Sequence, residues 1–257
     1  MSVVLVPLAQ VIAEASGLSA ALVVLALVIV GVAPFALLLD RRCPVAAPVE
    51  ELRTPPLTEM LALAIDHRGY RLLTVGFFTC GFQLAFIATY LPGYLLLCQM
   101  PVGLGATALA LIGLFNMIGS WACGWLGGRV RQQYVLAWLY LVRAVTIGAF
   151  VVLPKSGPLV VAFAAIMGLT WLGTVPLTSG LIAKVFGTRH LGTLFGVVFL
   201  SHQLGSFLGA WLGGYVFDAT GSYTLIWAAT ALAGLFAALL HFPIDDTVHA
   251  PVEPVRA

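Results

Sequence analysis

The sequence predicts an all-α integral membrane protein with about seven transmembrane helices, and three observations carry that expectation. The chain is 61% hydrophobic and 9% charged, whereas a soluble domain is roughly 25% charged, and its mean hydropathy is +1.06. Apolar runs of about 20 residues, the length a helix needs to cross a bilayer, recur between short loops. Lys and Arg fall almost entirely on one side of those runs. The formal net charge of +2 says little about partners by itself, and no nucleic acid is expected among them; the lipid bilayer is.

Taken in order, the opening run 2–12 is too short to span, so it is expected to be the end of a helix that starts upstream. Met1 leads into SVVLVPLAQVI without a basic stretch or a small-residue cleavage site, so no signal peptide of the usual form is expected. A first full span follows at 18–39. Residues 40–69 form a Pro-rich, charged linker, DRRCPVAAPVEELRTPP, and then TEMLALAIDHRG, which fits a short helix at the membrane surface. Six further spans are expected at 70–97, 104–127, 133–153, 158–183, 191–217 and 223–242. The tail 243–257 is polar and expected to be disordered. Ten of the twelve Lys and Arg (Arg41, Arg42, Arg53, Arg68, Arg71, Arg129, Arg131, Lys184, Arg189 and Arg256) fall on one side, with Lys155 opposite and Arg143 inside a span. By the positive-inside rule that side is cytoplasmic, which puts the N-terminal end outside and the C-terminus inside.

Counting to the centre of each span puts Gln83, Asn116, Arg143, Trp171 and His202 near the middle of five successive helices, while the first and last have apolar middles. Polar groups in hydrocarbon face the bundle interior or a watery cavity. Five helices around something polar at one depth is the pattern of a midplane binding site. Each residue also has a structural reading. Gln83 and Asn116 could be interhelical hydrogen bonds. Thr170, Thr174 and Thr178 recur every fourth residue and could bond their own preceding carbonyls, and Pro176 permits a bend or a hinge. Arg143 is a full charge in a span with no Asp or Glu at depth, and so calls for carbonyls, water, an anionic solute or an acid from elsewhere. His202 titrates near neutrality and fits proton coupling as well as a satisfied interior histidine.

The pairs Gly192/Gly196, Gly205/Gly209/Gly213 and Gly124/Gly128 allow close helix approach. Cys43, Cys80, Cys98 and Cys123 have no paired spacing and read as small core residues, so neither a disulfide framework nor a metal site is expected. No HExxH, GxSG or paired intramembrane aspartates point to an enzyme, and no cofactor is implied.

The stretches FFTCGFQLAFIATYLPGYL (77–95), ALALIGLFNMIGSWACGWLGG (108–128), TWLGTVPLTSG (170–180), FGTRHLGTLFGVVFLSHQLGSFLGAWLGG (186–214) and DATGSY (218–223) together resemble the C-terminal half of a major facilitator superfamily transporter, of the bacterial monocarboxylate-porter-like branch. The resemblance implies that 1–39 is a remnant of an N-terminal half (the end of helix five and helix six), that 40–69 joins the halves, and that 70–242 is the six-helix C-terminal domain. It implies a multi-pass protein of the cell inner (plasma) membrane that moves small organic solutes, with monocarboxylate-type anions the class Arg143 suggests, by rocking two halves about a midplane site. The substrate pathway would then involve Gln83, Asn116, Arg143, Trp171, Thr174, Thr178 and His202, although the family's architecture makes Arg143, on helix nine, a less obvious cavity residue. The loop GWLGGRVRQQ resembles the family's G-x-L-[AG]-D-R motif with Gly128 in place of the acid. Helices one to four and most of five are absent, so the remaining readings are an inactive fragment, a chain whose N-terminal half is a separate partner, and a seven-helix receptor.

Overall fold

The computed structural model describes residues 55–247, and residues 17–31 in part. Those of 19–31 that are described are helical. The opening run 2–12, most of the span expected at 18–39, the linker up to 54, and the tail from 248 lie outside the described residues.

Residues 55–247 are helices joined by short loops. A surface helix, α1 (Leu57–Asp66), starts after Pro56 and turns Met60 and Ala64 inward while Leu63 and Ile65 stay exposed. His67 then starts α2 (Arg68–Leu97) by accepting the Tyr70 amide proton on Nδ1 at 3.2 Å, one of the donors that the first turn of a helix leaves free. α3 (Val102–Gly127) and α4 (Gln132–Val152) follow. The fifth span, expected as one helix over 158–183, consists of two: α5 (Gly157–Thr170) and α6 (Thr174–Phe186). α7 (Leu191–Thr220) ends on Gly221, whose φ of +69° is a left-handed conformation that glycine adopts without strain. α8 is Thr224–His241. Among the described residues six spans are long and apolar enough to cross a membrane, which makes the chain a multi-pass, all-α membrane protein.

The break in the fifth span has a chemical cause. Pro176 offers no N–H to the Leu172 carbonyl and its ring crowds that carbonyl, so a regular helix cannot run through both. At the third position of α6 the same proline is tolerated, because the first turn of a helix has no use for that donor. The sequence placed the bend at Pro176; the geometry displaces it one turn upstream, to 171–173.

Packing pairs α2 with α7, α3 with α5, and α4 with α8. Exchanging α2–α3–α4 with α5/α6–α7–α8 carries the first pair onto the second and returns the third to itself, so two three-helix repeats are related by an internal two-fold exchange. Three glycines set how closely α2 and α7 cross. A methyl at Gly205 would overlap the Phe78 carbonyl, one at Gly209 the Phe82 carbonyl, and one at Gly81 the His202 carbonyl. The pairs Gly192/Gly196 and Gly124/Gly128 meet nothing a methyl would touch, beyond the Trp125 carbonyl 3.7 Å from the methyl position of Gly128. One set of small residues is therefore spent on internal packing and the other lines outward faces.

Two apolar clusters fill the interior. One holds Met60, Tyr70, Leu73, Leu181, Phe186 and Ile244 at the basic end. The other holds Phe86, Leu91, Phe150, Phe163 and Trp227 at the opposite end. Residues 243–247, read from sequence as the start of a disordered tail, tuck beneath the basic end: Ile244 and Asp246 are buried. Asp246 accepts from Arg131 at 2.5 Å and from Lys184, joining the start of α4 to the last turn of α6. Its hydrogen bonds from Arg131 and then Lys184 hold the carboxyl far below the usual carboxylate range.

Two outcomes test this packing. Gly205→Leu should lower the thermal midpoint of the detergent-solubilised chain, since overpacking costs about 1–3 kcal/mol, whereas Gly196→Leu, with open space around it, should leave the midpoint unchanged. Because the folded Asp246 carboxyl is depressed, its contribution is complete above the unfolded carboxyl's value of about 3.9 and is lost as pH falls from there toward its folded value. Asp246→Asn should therefore lower the midpoint at neutral pH, and the gap to the wild type should close on acidification in a pH series of melts.

Candidate functional site

Between the two apolar clusters lies a polar layer, and the broken span supplies its frame. Where a helix stops, its last carbonyls and the first amides of the next have no partners within the helix, and in a membrane each must find one. Asn116 of α3 meets part of that need: its side-chain oxygen accepts the Leu172 amide proton at 3.0 Å and the Ser120 hydroxyl at 3.1 Å. Arg143 of α4 meets another part. One guanidinium nitrogen donates to the Thr170 carbonyl and, at 2.6 Å, to the Trp171 carbonyl; the other donates to the Cys80 sulfur at 3.3 Å. Arg143 is 0% exposed.

Carbonyls at the end of α5 carry the negative pole of that helix, roughly half an elementary charge. They are natural partners for a cation that no described carboxylate reaches; the described ion pairs are those of Asp246. The guanidinium also lies over the Tyr140 ring, 5.3 Å from its centroid, which adds a cation–π contact. On the far side of Cys80, the Thr174 hydroxyl, first residue of α6, stands 3.5 Å from the sulfur. His202 of α7 interacts with the same sulfur. Its Nδ1 is 3.2 Å from the Gln203 side-chain oxygen and 3.4 Å from the Ser206 hydroxyl, and its ring stacks on Phe199 and leans on Phe77.

Arg143, Trp171, Thr174 and His202, singled out from the sequence, thus meet around the break, and Asn116 braces it from α3. Gln83 and Thr178 lie apart from them. The Gln83 amide donates to the Thr230 carbonyl at 3.0 Å, a bond to α8. Thr178 is fully buried and its hydroxyl has no partner among the described residues. The threonine stripe divides by role: Thr170 bonds the Ile166 and Met167 carbonyls of its own helix, Thr174 meets Cys80, and Thr178 does neither. Sequence reasoning missed Cys80 and Tyr140 because an apolar-looking cysteine and a tyrosine carry no periodic signal. The only clue was depth, since Cys80 lies one turn from Gln83.

α7 is the most open wall of this layer. The most apolar window of that helix is 17% buried, against 61% for α2, and Gln203 is exposed near its middle. An amide at that depth needs protein or water beside it.

This architecture agrees with what the chain is similar to. Residues 1–209 match the Major Facilitator Superfamily. The chain belongs to that superfamily. It is 28% identical over 213 residues to YcxA, described as an uncharacterized MFS-type transporter, of Bacillus subtilis (strain 168), covering 76% of this chain and 52% of that protein. It is 26% identical over 210 residues to monocarboxylate transporter 12 of Rattus norvegicus, covering 77% of this chain and 43% of that one. Monocarboxylate transporter 13 of the same species is 32% identical over 134 residues, 51% of this chain and 30% of its own length. The chain spans about half the length of these relatives or less. For a facilitator chain the two-fold exchange of α2–α3–α4 with α5/α6–α7–α8 is the inverted repeat on which such folds are built.

If Arg143 holds the break together, removing its side chain strands two buried carbonyls. Each unpaired buried acceptor costs about 1–3 kcal/mol. Arg143→Leu should lower the thermal midpoint well beyond Gln83→Leu, because the Thr230 carbonyl that Gln83 meets lies inside α8 and keeps its own intrahelical donor, and Arg143→Lys should fall between wild type and Arg143→Leu because an ammonium cannot reproduce the planar fork.

Proposed function

We propose that the chain is the six-helix C-terminal half of a secondary transporter for small organic solutes, with monocarboxylate-type anions as the substrate class, and that it works against a second six-helix body. The observation that carries this reading is the division of surfaces on α3 and α7. Their inward faces pack tightly within the chain, while a methyl at Gly124, Gly192 or Gly196 would meet nothing within 4 Å among the described residues, and Gln203 is exposed on α7. Small residues with polar neighbours at mid-depth suit a second helical body or a water-filled pathway better than lipid.

In this reading the pathway runs along α7 and the break. His202, Trp171 and Asn116 are partly exposed and face it, while Arg143 and Thr174 lie fully buried behind them and hold the break's geometry. Gln83 and Thr178 support the layer from within. The anionic class rests on the names of the relatives and on the positive character that Arg143 gives this layer. In the same reading the end carrying Arg68, Arg131 and Lys184 faces the cytoplasm, as the positive-inside rule favours, with the plasma membrane as the proposed location and the Asp246 clip on the inner side. Because those glycine faces are open among the described residues, the chain in this reading depends on a partner half for activity.

Uptake of a labelled monocarboxylate such as lactate into proteoliposomes, driven by an imposed pH gradient, tests both claims. Saturable uptake is expected when the chain is reconstituted with a complementary six-helix half, with His202→Ala lowering the rate at least about tenfold. Such a loss corresponds to about 1.4 kcal/mol. Saturable uptake by the chain alone would overturn partner dependence; no saturable uptake in either arrangement would overturn the transport reading.

A further inference from the structure

The clip at the basic end has the parts of an anion site that the chain fills from within. The buried Asp246 carboxylate takes Arg131 on one oxygen at 2.5 Å and Lys184 on the other, while both cations are half exposed and open to solutes. Gln133, the second residue of α4, is fully buried beside the same carboxylate. Neither its side-chain oxygen nor its nitrogen has a hydrogen-bond partner of normal geometry among the described residues. α4 starts here without a side-chain cap, so its free amides and positive pole add to the two cations. Asp245 attracts Arg131 from farther away, but its own oxygens accept the Thr247 amide and hydroxyl, both at 3.1 Å. Nothing in the chemistry of the site requires the anion to belong to the chain.

The occupant also has room to leave. Residues 243–247 are pinned by Ile244, which is buried in the basic-end cluster, and Asp246 stands two residues beyond that pin. The same segment borders a cavity of about 430 Å³ lined by Leu63, Asp66, His67, Arg68, Pro243 and Asp245. Asp246 can swing about Ile244 toward that space without unpacking the core.

We infer that the cleft between the start of α4 and the end of α6 is a binding site for small carboxylate anions, held by Arg131, Lys184 and Gln133, and that Asp246 is its displaceable intramolecular occupant. The class follows from the fit of Asp246 itself, whose two oxygens each take one cation. A short tether gives a group an effective concentration in the millimolar range, so a free carboxylate competes only when it accumulates to comparable levels. Displacement unties the start of α4 from the end of α6. The binding rests on these contacts alone, whereas identifying the anion with a transported solute rests on the transport reading above.

Thermal melts of the solubilised chain at neutral pH, in sodium acetate against sodium chloride of equal ionic strength, test the site without any transport. In Asp246→Ala, acetate should raise the midpoint saturably, by about 3 °C at about ten times the half-saturating concentration. Adding Lys184→Gln should abolish that rise, and the wild type, its site already filled, should respond far less. A response of Asp246→Ala to acetate no larger than to chloride, or one that survives Lys184→Gln, would overturn the proposal. An equal rise in sodium phosphate would overturn the carboxylate class. Should Asp246→Ala fail to fold, the isosteric Asp246→Asn carries the same comparisons. In the wild type, hydrogen exchange across 243–247 should quicken in high acetate and not in chloride; unchanged exchange would overturn the displacement.

Discussion

A guanidinium in the middle of a membrane span has to be held, and the broken fifth span is what holds Arg143. The dependence is mutual. Pro176 and the loss of the Leu172 ladder position leave carbonyls without donors at a depth where water cannot supply them. Arg143 supplies two donors, and Asn116 accepts the amide that the same break frees. Neither feature is tolerable alone, because the break would strand backbone groups and the arginine would strand a charge. Together they form a layer to which α2, α3, α4, α5, α6 and α7 each contribute a residue or an atom.

That layer also explains why the interior has two apolar clusters and not one. The cluster with Met60, Leu181 and Phe186 and the cluster with Phe86, Phe163 and Trp227 are each packed like an ordinary core, and Trp171 touches both. Between them the helices are joined by directional bonds, which have few alternative arrangements. An apolar seam can slide by small steps, whereas a seam of hydrogen bonds moves between discrete arrangements. A pathway that must open and close is better served by the second kind.

Much of this was legible in the sequence, for reasons particular to membranes. The six spans could be read because hydropathy over about 20 residues is an unambiguous constraint, and the structure moves their ends by only a few residues. The depth of Arg143, Trp171 and His202 followed from counting to span centres, since rise per residue is fixed in a helix. Direction around the helix axis was not readable in the same way. Gln83 shares the depth of the others but turns toward Thr230 on α8, and only neighbouring helices decide that rotation. The break was half-visible: Pro176 marked the place, but the displaced turn depends on which carbonyl the proline ring crowds. Asp246 was misread because an acid after the last span looks like the start of a free tail, whereas Cys80 is the small buried core residue that its apolar run suggested, and only its contact with Arg143 was hidden.

The glycines of α7 show how one helix can serve two partners. Gly205 and Gly209 bring its second half against α2 so closely that backbone meets backbone, and Gly213 leaves room for the Tyr90 ring, so that half cannot move without α2. Gly192 and Gly196, toward the basic end, present a smooth face with nothing against it among the described residues. The opposite face of that first half is engaged: Leu194 and Val198 are buried, and the Leu194 carbonyl accepts the Tyr70 hydroxyl of α2 at 2.8 Å. α7 therefore holds to α2 along its length while one of its faces stays open, and at its middle His202 is half-buried and Gln203 exposed because they lie on the border between those two faces.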